Sequence, residues 1–226
     1  MSIVILAATR IEASGLEETS ADVVVSGIGS VNAAHALTRR LLTHPTPTLV
    51  IQTGIAGAYV GAALAGGAVA LATEEIYGDL GVITPGGWES ADAFGIPIVE
   101  AMAGRPPRFN HFPLDAALVR EAARVCETRV SRTGPFLTLS QVTGVRSLGD
   151  ALFARFGALC ETMEGAAAAH VCALHGVPFL EVRGISNLVE DRNRAGWRVA
   201  DAAQAARDVT RRLVEHADRL LASASP

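Results

Sequence analysis

Three polar side chains in this sequence stand where an apolar run gives way to a turn. Glu12 follows the run at residues 3–8, Glu164 heads the alanine-rich stretch "EGAAAAH", and Asn187 closes "PFLEVRGISN". A carboxylate a few residues past a strand is either a solvated loop charge or a general base placed at a strand end. An acid opening a helix is favoured by the helix dipole. In the same place a buried carboxylate could grip two adjacent hydroxyls, as on a ribose. Asn187 by itself reads as a turn residue, and its amide neither gives up nor takes a proton near neutral pH. The turn Gly27-x-Gly29 sits between a strand and a helix, where backbone amides can receive an anion. Asn32 occupies the place of the third glycine of a dinucleotide fingerprint, and no acid follows at residues 46–54, so that site is excluded. A plain tight turn, or one that supports a neighbouring ligand loop, is left.

The elements that must position these groups alternate between short β-branched runs and alanine-rich helical ones. Strands are predicted at residues 3–8, 22–27, 48–54, 67–75, 135–144 and 178–186. The strand at 48–54 enters a glycine-rich loop, "GIAGAYVG". Helices are predicted at 30–42 and 114–126. Residues 157–176 read as strand, tight corner and helix, ended by Gly176 with Pro178 beyond. Val199, Ala202, Ala203, Ala206, Val209, Leu213 and Leu220 follow helical spacing, which predicts one long terminal helix lying along a sheet. Residues 84–113, rich in Gly, Pro and aromatics, read as a surface excursion, with Trp88 and Phe94 as its anchors or as a lining for a ligand. This alternation predicts one α/β domain over residues 1–226, with ligand groups gathered along one sheet edge.

Composition narrows the function classes. Half of the 226 residues are hydrophobic, enough to bury a substantial core. The net charge is −4 and no basic run stands out, which argues against a nucleic-acid surface. The apolar stretches are broken by Gly and charge, so no membrane span is expected. The first apolar run is strand-length and lacks a basic leader, so no signal peptide is expected. Cys126, Cys160 and Cys172 are odd in number and widely spaced, and read as small core residues in a reduced, cytoplasmic setting. The six histidines show no metal-ligand spacing, and neither a metal nor another cofactor is expected.

Taken in order, "ILAATRIEA", "VVVSGIGSVNAAHAL", "VIQTGIAGAY", "GAVALATEEIYGDLG" and "TMEGAAAAHVCALHGVPFLEVRGISN" resemble the purine nucleoside phosphorylase and nucleosidase superfamily. The resemblance is to the branch that holds the methylthioadenosine/S-adenosylhomocysteine nucleosidases and the futalosine hydrolases. It implies a three-layer α/β fold with a central mixed β-sheet flanked by helices, a homodimer or higher homo-oligomer, and cleavage of the N-glycosidic bond of a purine nucleoside. Glu12 then matches the carboxylate that activates water. Met163 and Glu164 match the pair that packs on and holds the ribose, and Thr73 matches a hydroxyl near it. Gln141, Val142 and Thr143 match the segment along the base, Ser186 a helper of the base-binding residue, and Trp197 an aromatic that closes over the site. Thr162 replaces a Glu of the usual Glu-Met-Glu, with Glu161 beside it.

Asn187 falls where the adenine-specific members carry Asp. A protonated Asp can donate to N7 of adenine; an Asn offers N–H to an O6 acceptor and a carbonyl to an N7–H, which suits a 6-oxopurine. The acidic segment "ATEEIYGD" would oppose a phosphate dianion and so favours water as nucleophile. The resemblance therefore implies hydrolysis of futalosine with release of hypoxanthine and dehypoxanthine futalosine. Alternatives are a 6-oxopurine nucleoside phosphorylase, a methylthioadenosine/S-adenosylhomocysteine nucleosidase and a non-catalytic nucleoside-binding protein. The benzoate of futalosine calls for a cation, for which Arg10, Arg105, Arg108 and His111 are candidates. The charges from Glu190 to Arg192 read as a solvated loop leading to Trp197.

Overall fold

The computed structural model describes residues 2–101, 106–192 and 194–223. Its elements are β1 (Ile3–Ala7), α1 (Arg10–Ala13), β2 (Asp22–Val25), α2 (Ser30–Thr43), β3 (Leu49–Tyr59), β4 (Val69–Tyr77), β5 (Gly81–Thr84), β6 (Gly87–Ser90), β7 (His111–Pro113), α3 (Ala116–Val125), β8 (Arg132–Thr138), α4 (Arg146–Phe156), β9 (Cys160–Thr162), α5 (Gly165–His175), β10 (Phe179–Val189), α6 (Val199–Glu215) and α7 (Ala217–Ser223). Among the described residues no helix is long and apolar enough to cross a membrane.

The main sheet is mixed and partly closed. The strand order is β10-β4-β8-β9-β3-β1-β2, and β10 also pairs with β3, so five strands return on themselves. Parallel pairs join β2, β1, β3 and β10, while β4 on β10 and β9 on β3 run antiparallel. Side chains alternate between the two faces, as a strand requires. Ile3, Ile5, Leu49, Ile51, Leu180 and Val182 face one core with residues of α3, α6 and α7. Val4, Leu6, Val50 and Phe179 face the other, with α2 and α5. A third cluster, with Tyr59, Phe136, Leu137, Leu152 and Ile185, fills the closed part. The expected three layers with a mixed sheet between helices are what forms.

Several predicted boundaries move, for reasons visible in the packing. The glycine-rich run at 54–61 is not a loop: β3 continues to Tyr59 and pairs with β10 along its length. β10 likewise passes Asn187 and ends at Val189, with a bulge between Ile185 and Asn187 that leaves Ser186 out of register. β8 stops at Thr138, and residues 139–145 form a loop. α4 has no predicted counterpart, since Gly149 interrupts its pattern. A Cβ there would lie 2.7 Å from Val189 Cγ1, so the glycine admits the helix to the end of β10. The terminal helix is two helices: the His216 N–H is shared between the Arg212 and Leu213 carbonyls, both at 3.2 Å, and α7 starts anew at Ala217. The excursion at 84–113 is tied down by Asn110, whose amide donates to the Tyr77 and Leu80 carbonyls and accepts from the Ala91 N–H. Trp88 packs edge-on against Phe156 with Arg155 over its ring, which is the anchoring role expected of it, whereas Phe94 is exposed. All three cysteines are buried and free.

Gly184 fixes the approach of α6 to the sheet, because a Cβ on it would strike the Ala202 backbone. Gly184→Ala is expected to cost about 1–3 kcal/mol through this overpacking, read as a lower urea midpoint. An unchanged midpoint would show that α6 moves aside freely.

Candidate active site

A cavity of about 420 Å³ opens where β1, β3, β9 and β10 end, and its lining includes Thr9, Glu12, Thr143, Glu161, Met163, Glu164, Arg183, Asn187 and Trp197. Glu12 enters through a capping box. Its backbone N–H donates to Thr9 Oγ1, while the Thr9 N–H and hydroxyl donate to its Oε2 at 2.9 and 2.7 Å. Its Oε1 accepts from the Ile55 N–H at 2.9 Å. The carboxylate is thus held beside the middle of β3 with one lone pair left over, and Glu12 is buried rather than solvated.

Glu164 precedes α5, yet its side chain does not cap that helix. The Thr138 hydroxyl takes the Ala166 N–H instead, at 2.8 Å. This frees the Glu164 carboxylate to accept from the Gly29 N–H at 2.9 Å and from Arg183 at 3.3 Å. Gly27 and Gly29 adopt φ of 91° and 96°, a region that side chains avoid. The Gly-x-Gly turn therefore supports the Glu164 carboxylate, and Ser30 adds a bond to the Met163 carbonyl at 3.1 Å.

Arg183 binds these groups together, and sequence reasoning did not single it out. Its side chain is 2% exposed, and it donates to Glu181 at 2.6 Å, to Glu164 at 3.3 Å and to the Ile55 carbonyl at 3.2 Å. Burial works against its charge, but Glu181, Glu164 and Glu12 raise its pKa further. The one signal for it was a cation inside the apolar run "FLEVRGIS". Gly54 is part of the same arrangement: a Cβ there would meet Glu12 Oε1 and Arg183.

At the other end, the Ser186 hydroxyl donates to Asn187 Oδ1 at 2.7 Å, and Asn187 Nδ2 donates to the Leu188 carbonyl at 2.9 Å. A carbonyl accepts only, so it sets which way the amide points. One N–H and one oxygen lone pair of Asn187 remain for a ligand. Glu161 also lines this end. It is buried and accepts from the Thr143 N–H at 2.6 Å and the Tyr59 hydroxyl at 3.2 Å. Burial raises its pKa, and the bonds from Thr143 and Tyr59 offset only part of that rise.

Of the predicted site residues, Glu12, Val142, Thr143, Met163, Glu164, Ser186, Asn187 and Trp197 line this cavity; Thr73 and Gln141 are not among its lining residues. Thr73 lies at a bulge of β4 and Gln141 is exposed. Among the cations considered for a carboxylate, Arg105 lies outside the described residues. Arg10 and Arg108 do not line the cavity; Arg108 stacks on Phe112. His111 pairs with Glu74 at 3.2 Å, a bond that raises its pKa. Arg192 is exposed on the loop that the sequence reads as solvated, and it is also the second arginine of the lining, its guanidinium 5.2 Å from the Trp197 ring centre.

Beneath the site, Glu75 and Glu181 meet under Gly165, where a Cβ would strike both carboxyls. Burial and the Glu181 charge raise the pKa of Glu75 well above the usual carboxylate range, which favours its protonated form beside Glu181. Unfolded, Glu75 ionises near its ordinary value. Its contribution to stability is therefore complete below that value and is lost as pH rises toward the folded pKa. Glu75→Gln, neutral at every pH, removes this loss. Its melting temperature should gain on that of the parent protein by about 3–6 °C between about pH 5 and about pH 8. Parallel curves would mean that Glu75 is ionised in the folded protein.

The chain matches the family model described as the phosphorylase superfamily over residues 7–222. It is 38% identical over 200 residues to the futalosine hydrolase of Thermus thermophilus, covering 88% of this chain and 84% of that protein. It is 31% identical over 200 residues to the 5'-methylthioadenosine/S-adenosylhomocysteine nucleosidase of Geobacillus kaustophilus, covering 84% and 76%. Its fold superposes on the native structure of the Helicobacter pylori futalosine hydrolase with a TM-score of 0.80 at 21% identity, covering 96% and 98% of the two chains.

Proposed function

The chain belongs to the phosphorylase superfamily, and from that premise we propose that it hydrolyses the N-glycosidic bond of futalosine, releasing hypoxanthine and dehypoxanthine futalosine. The observation that carries this reading is the oriented amide of Asn187, opposite Glu12 and Glu164 in one cavity. Its remaining N–H suits O6 of a 6-oxopurine, and its remaining lone pair suits an N7–H as the base leaves. The likeness to a futalosine hydrolase at 38% identity supports the same choice over the adenine nucleosidases.

Each residue then has a task. Glu12 takes a proton from water as the water oxygen bonds to the anomeric carbon and the bond to N9 breaks; its electron pair passes to the base, which spreads the charge onto O6 and takes a proton from solvent at N7. Glu164 accepts from the ribose hydroxyls, and its charge favours positive character on the sugar. Met163 packs beneath the ribose, Val142 and Thr143 lie along the base, and Trp197 closes the mouth. Arg183 is already engaged by carboxylates, so it offers no open cradle for a phosphate dianion; this supports water as nucleophile. Arg192, stacked on Trp197, is the cation we assign to the benzoate of the substrate. We read the working form as a cytoplasmic homodimer or higher homo-oligomer. The exposed Ile11 and Ile28 at the cavity mouth support it, being apolar surface that a second copy would cover.

Incubation with futalosine, inosine and methylthioadenosine, with and without phosphate, tests the reading. Hypoxanthine should appear from futalosine without phosphate, as the free sugar; its absence would overturn the reading. Glu12→Gln should lower kcat by about 10²–10⁴-fold with substrate binding retained. Arg192→Ala should raise KM for futalosine by about 10-fold or more and leave that for inosine unchanged; an equal effect on both would remove the benzoate assignment.

A further inference from the structure

Asn187, Gly57 and Glu161 stand side by side on β10, β3 and β9: Gly57 pairs with Asn187 on one flank and with Glu161 on the other. Paired residues of neighbouring strands project to the same face. A Cβ on Gly57 would lie 3.2 Å from Asn187 Nδ2 and 3.7 Å from Glu161 Cγ, so both side chains rise over the space the glycine leaves open. All three residues line the cavity. Asn187 Nδ2 and Glu161 Cγ therefore stand no more than about 7 Å apart, inside the two ladder spacings that separate their strands. That is room for one edge of a planar base with a hydrogen-bonding group at each end.

The chemistry of the two ends is complementary to one kind of base edge. A 6-oxopurine carries an acceptor at O6 beside a donor at N1–H; a 6-aminopurine carries a donor at the 6-amino group beside a lone pair at N1. Asn187 has an N–H left for O6. Glu161 accepts from the Thr143 N–H, the Thr143 side chain and the Tyr59 hydroxyl, three donors against four carboxylate lone pairs, so one lone pair is left for a ligand. We propose that Glu161 is a base-reading residue whose carboxylate accepts the N1–H of a 6-oxopurine across the Gly57 slot from Asn187. The proposal deepens the functional reading above and rests on it. A 6-aminopurine in the same place sets its N1 lone pair against a carboxylate, which discriminates by repulsion as well as by a lost bond. The Thr143 N–H bond also fastens the base-side loop to the residue that reads the base, so that ordering the loop and orienting the carboxylate are one event.

A purely structural Glu161, present only to tether Thr143, makes a different prediction. The test compares hypoxanthine release from inosine with 1-methylhypoxanthine release from 1-methylinosine, by the unaltered protein and by Glu161→Gln. N1-methylation should lower kcat/KM by about 10-fold or more in the unaltered protein, the value of a hydrogen bond to a charged group. That penalty should shrink markedly in Glu161→Gln. A penalty absent from the unaltered protein, or equal in both, would overturn the proposal while leaving the reaction as read. Failure to release hypoxanthine from inosine or futalosine, with adenine released from methylthioadenosine, would overturn the functional reading and the proposal together. A readout that needs no variant is the N1–H resonance of ¹⁵N-labelled hypoxanthine bound to the unaltered protein. It should be shifted downfield and protected from exchange, and exchange at the solvent rate would overturn the proposal.

Discussion

A single guanidinium, buried to 2% exposure, is the constraint around which this site is built. An isolated cation in a protein interior is costly, and removing one partner of a buried pair typically costs about 3–5 kcal/mol. Arg183 is tolerable only because Glu181 and Glu164 both pair with it and Glu12 lies close by. Those acids come from β10, from the residue preceding α5 and from α1, so satisfying one charge brings three separate segments into register. The chemistry depends on this arrangement, since the two carboxylates assigned to water and to ribose are spaced by the same cation. Burial and the Glu181 charge push the Glu75 pKa well up, which disfavours a further negative charge in the same interior.

Backbone irregularity does the aiming. A regular β10 would alternate its side chains strictly, and Ser186 and Asn187 would face opposite sides of the sheet. The bulge between Ile185 and Asn187 places both beside the cavity, where the hydroxyl of one orients the amide of the other. Gly54, Gly57 and Gly165 act in the complementary way, by what they omit. A methyl group at these positions would meet, respectively, Glu12 with Arg183, Asn187 Nδ2, and Glu75 with Glu181. Three glycines within strand or helix weaken local propensity, and the polar groups that fill their empty volumes account for them.

Much of the scaffold was legible because periodicity reports on burial. The continuous apolar run of β1, buried on both faces, and the helical stripe of α6 each meet cores that form as their patterns require. Glu12, Glu164 and Asn187 were legible because each interrupts such a pattern at an element's end. Arg183 and Glu181 interrupt a pattern too, but within a strand, where a charge has meaning only through partners far away in sequence. Glu161 was noticed only as the neighbour of a substituted position, since its pairing across Gly57 is a matter of sheet register. The glycine-rich run of β3 was read as a loop because glycine's usual meaning is conformational freedom; here its meaning is vacancy.

The same logic bears on how this fold can change its substrate. The end we assign to the ribose is locked: Glu164 is tied to Gly29 and Arg183, Glu12 to Thr9 and Ile55, and Arg183 to Glu181 as well as Glu164. Altering one of these groups unbalances a buried charge network. The base end is different. Asn187 and Glu161 are held by neutral donors and acceptors, a hydroxyl, a carbonyl and a backbone N–H among them. With the base roles proposed for these two residues, exchanging an amide and a carboxyl there would change which purine edge is matched without disturbing Arg183. A site with a rigid ionic half and an adjustable hydrogen-bonding half can keep one reaction while its leaving group changes, which is the pattern expected where relatives of a single fold act on different purine nucleosides.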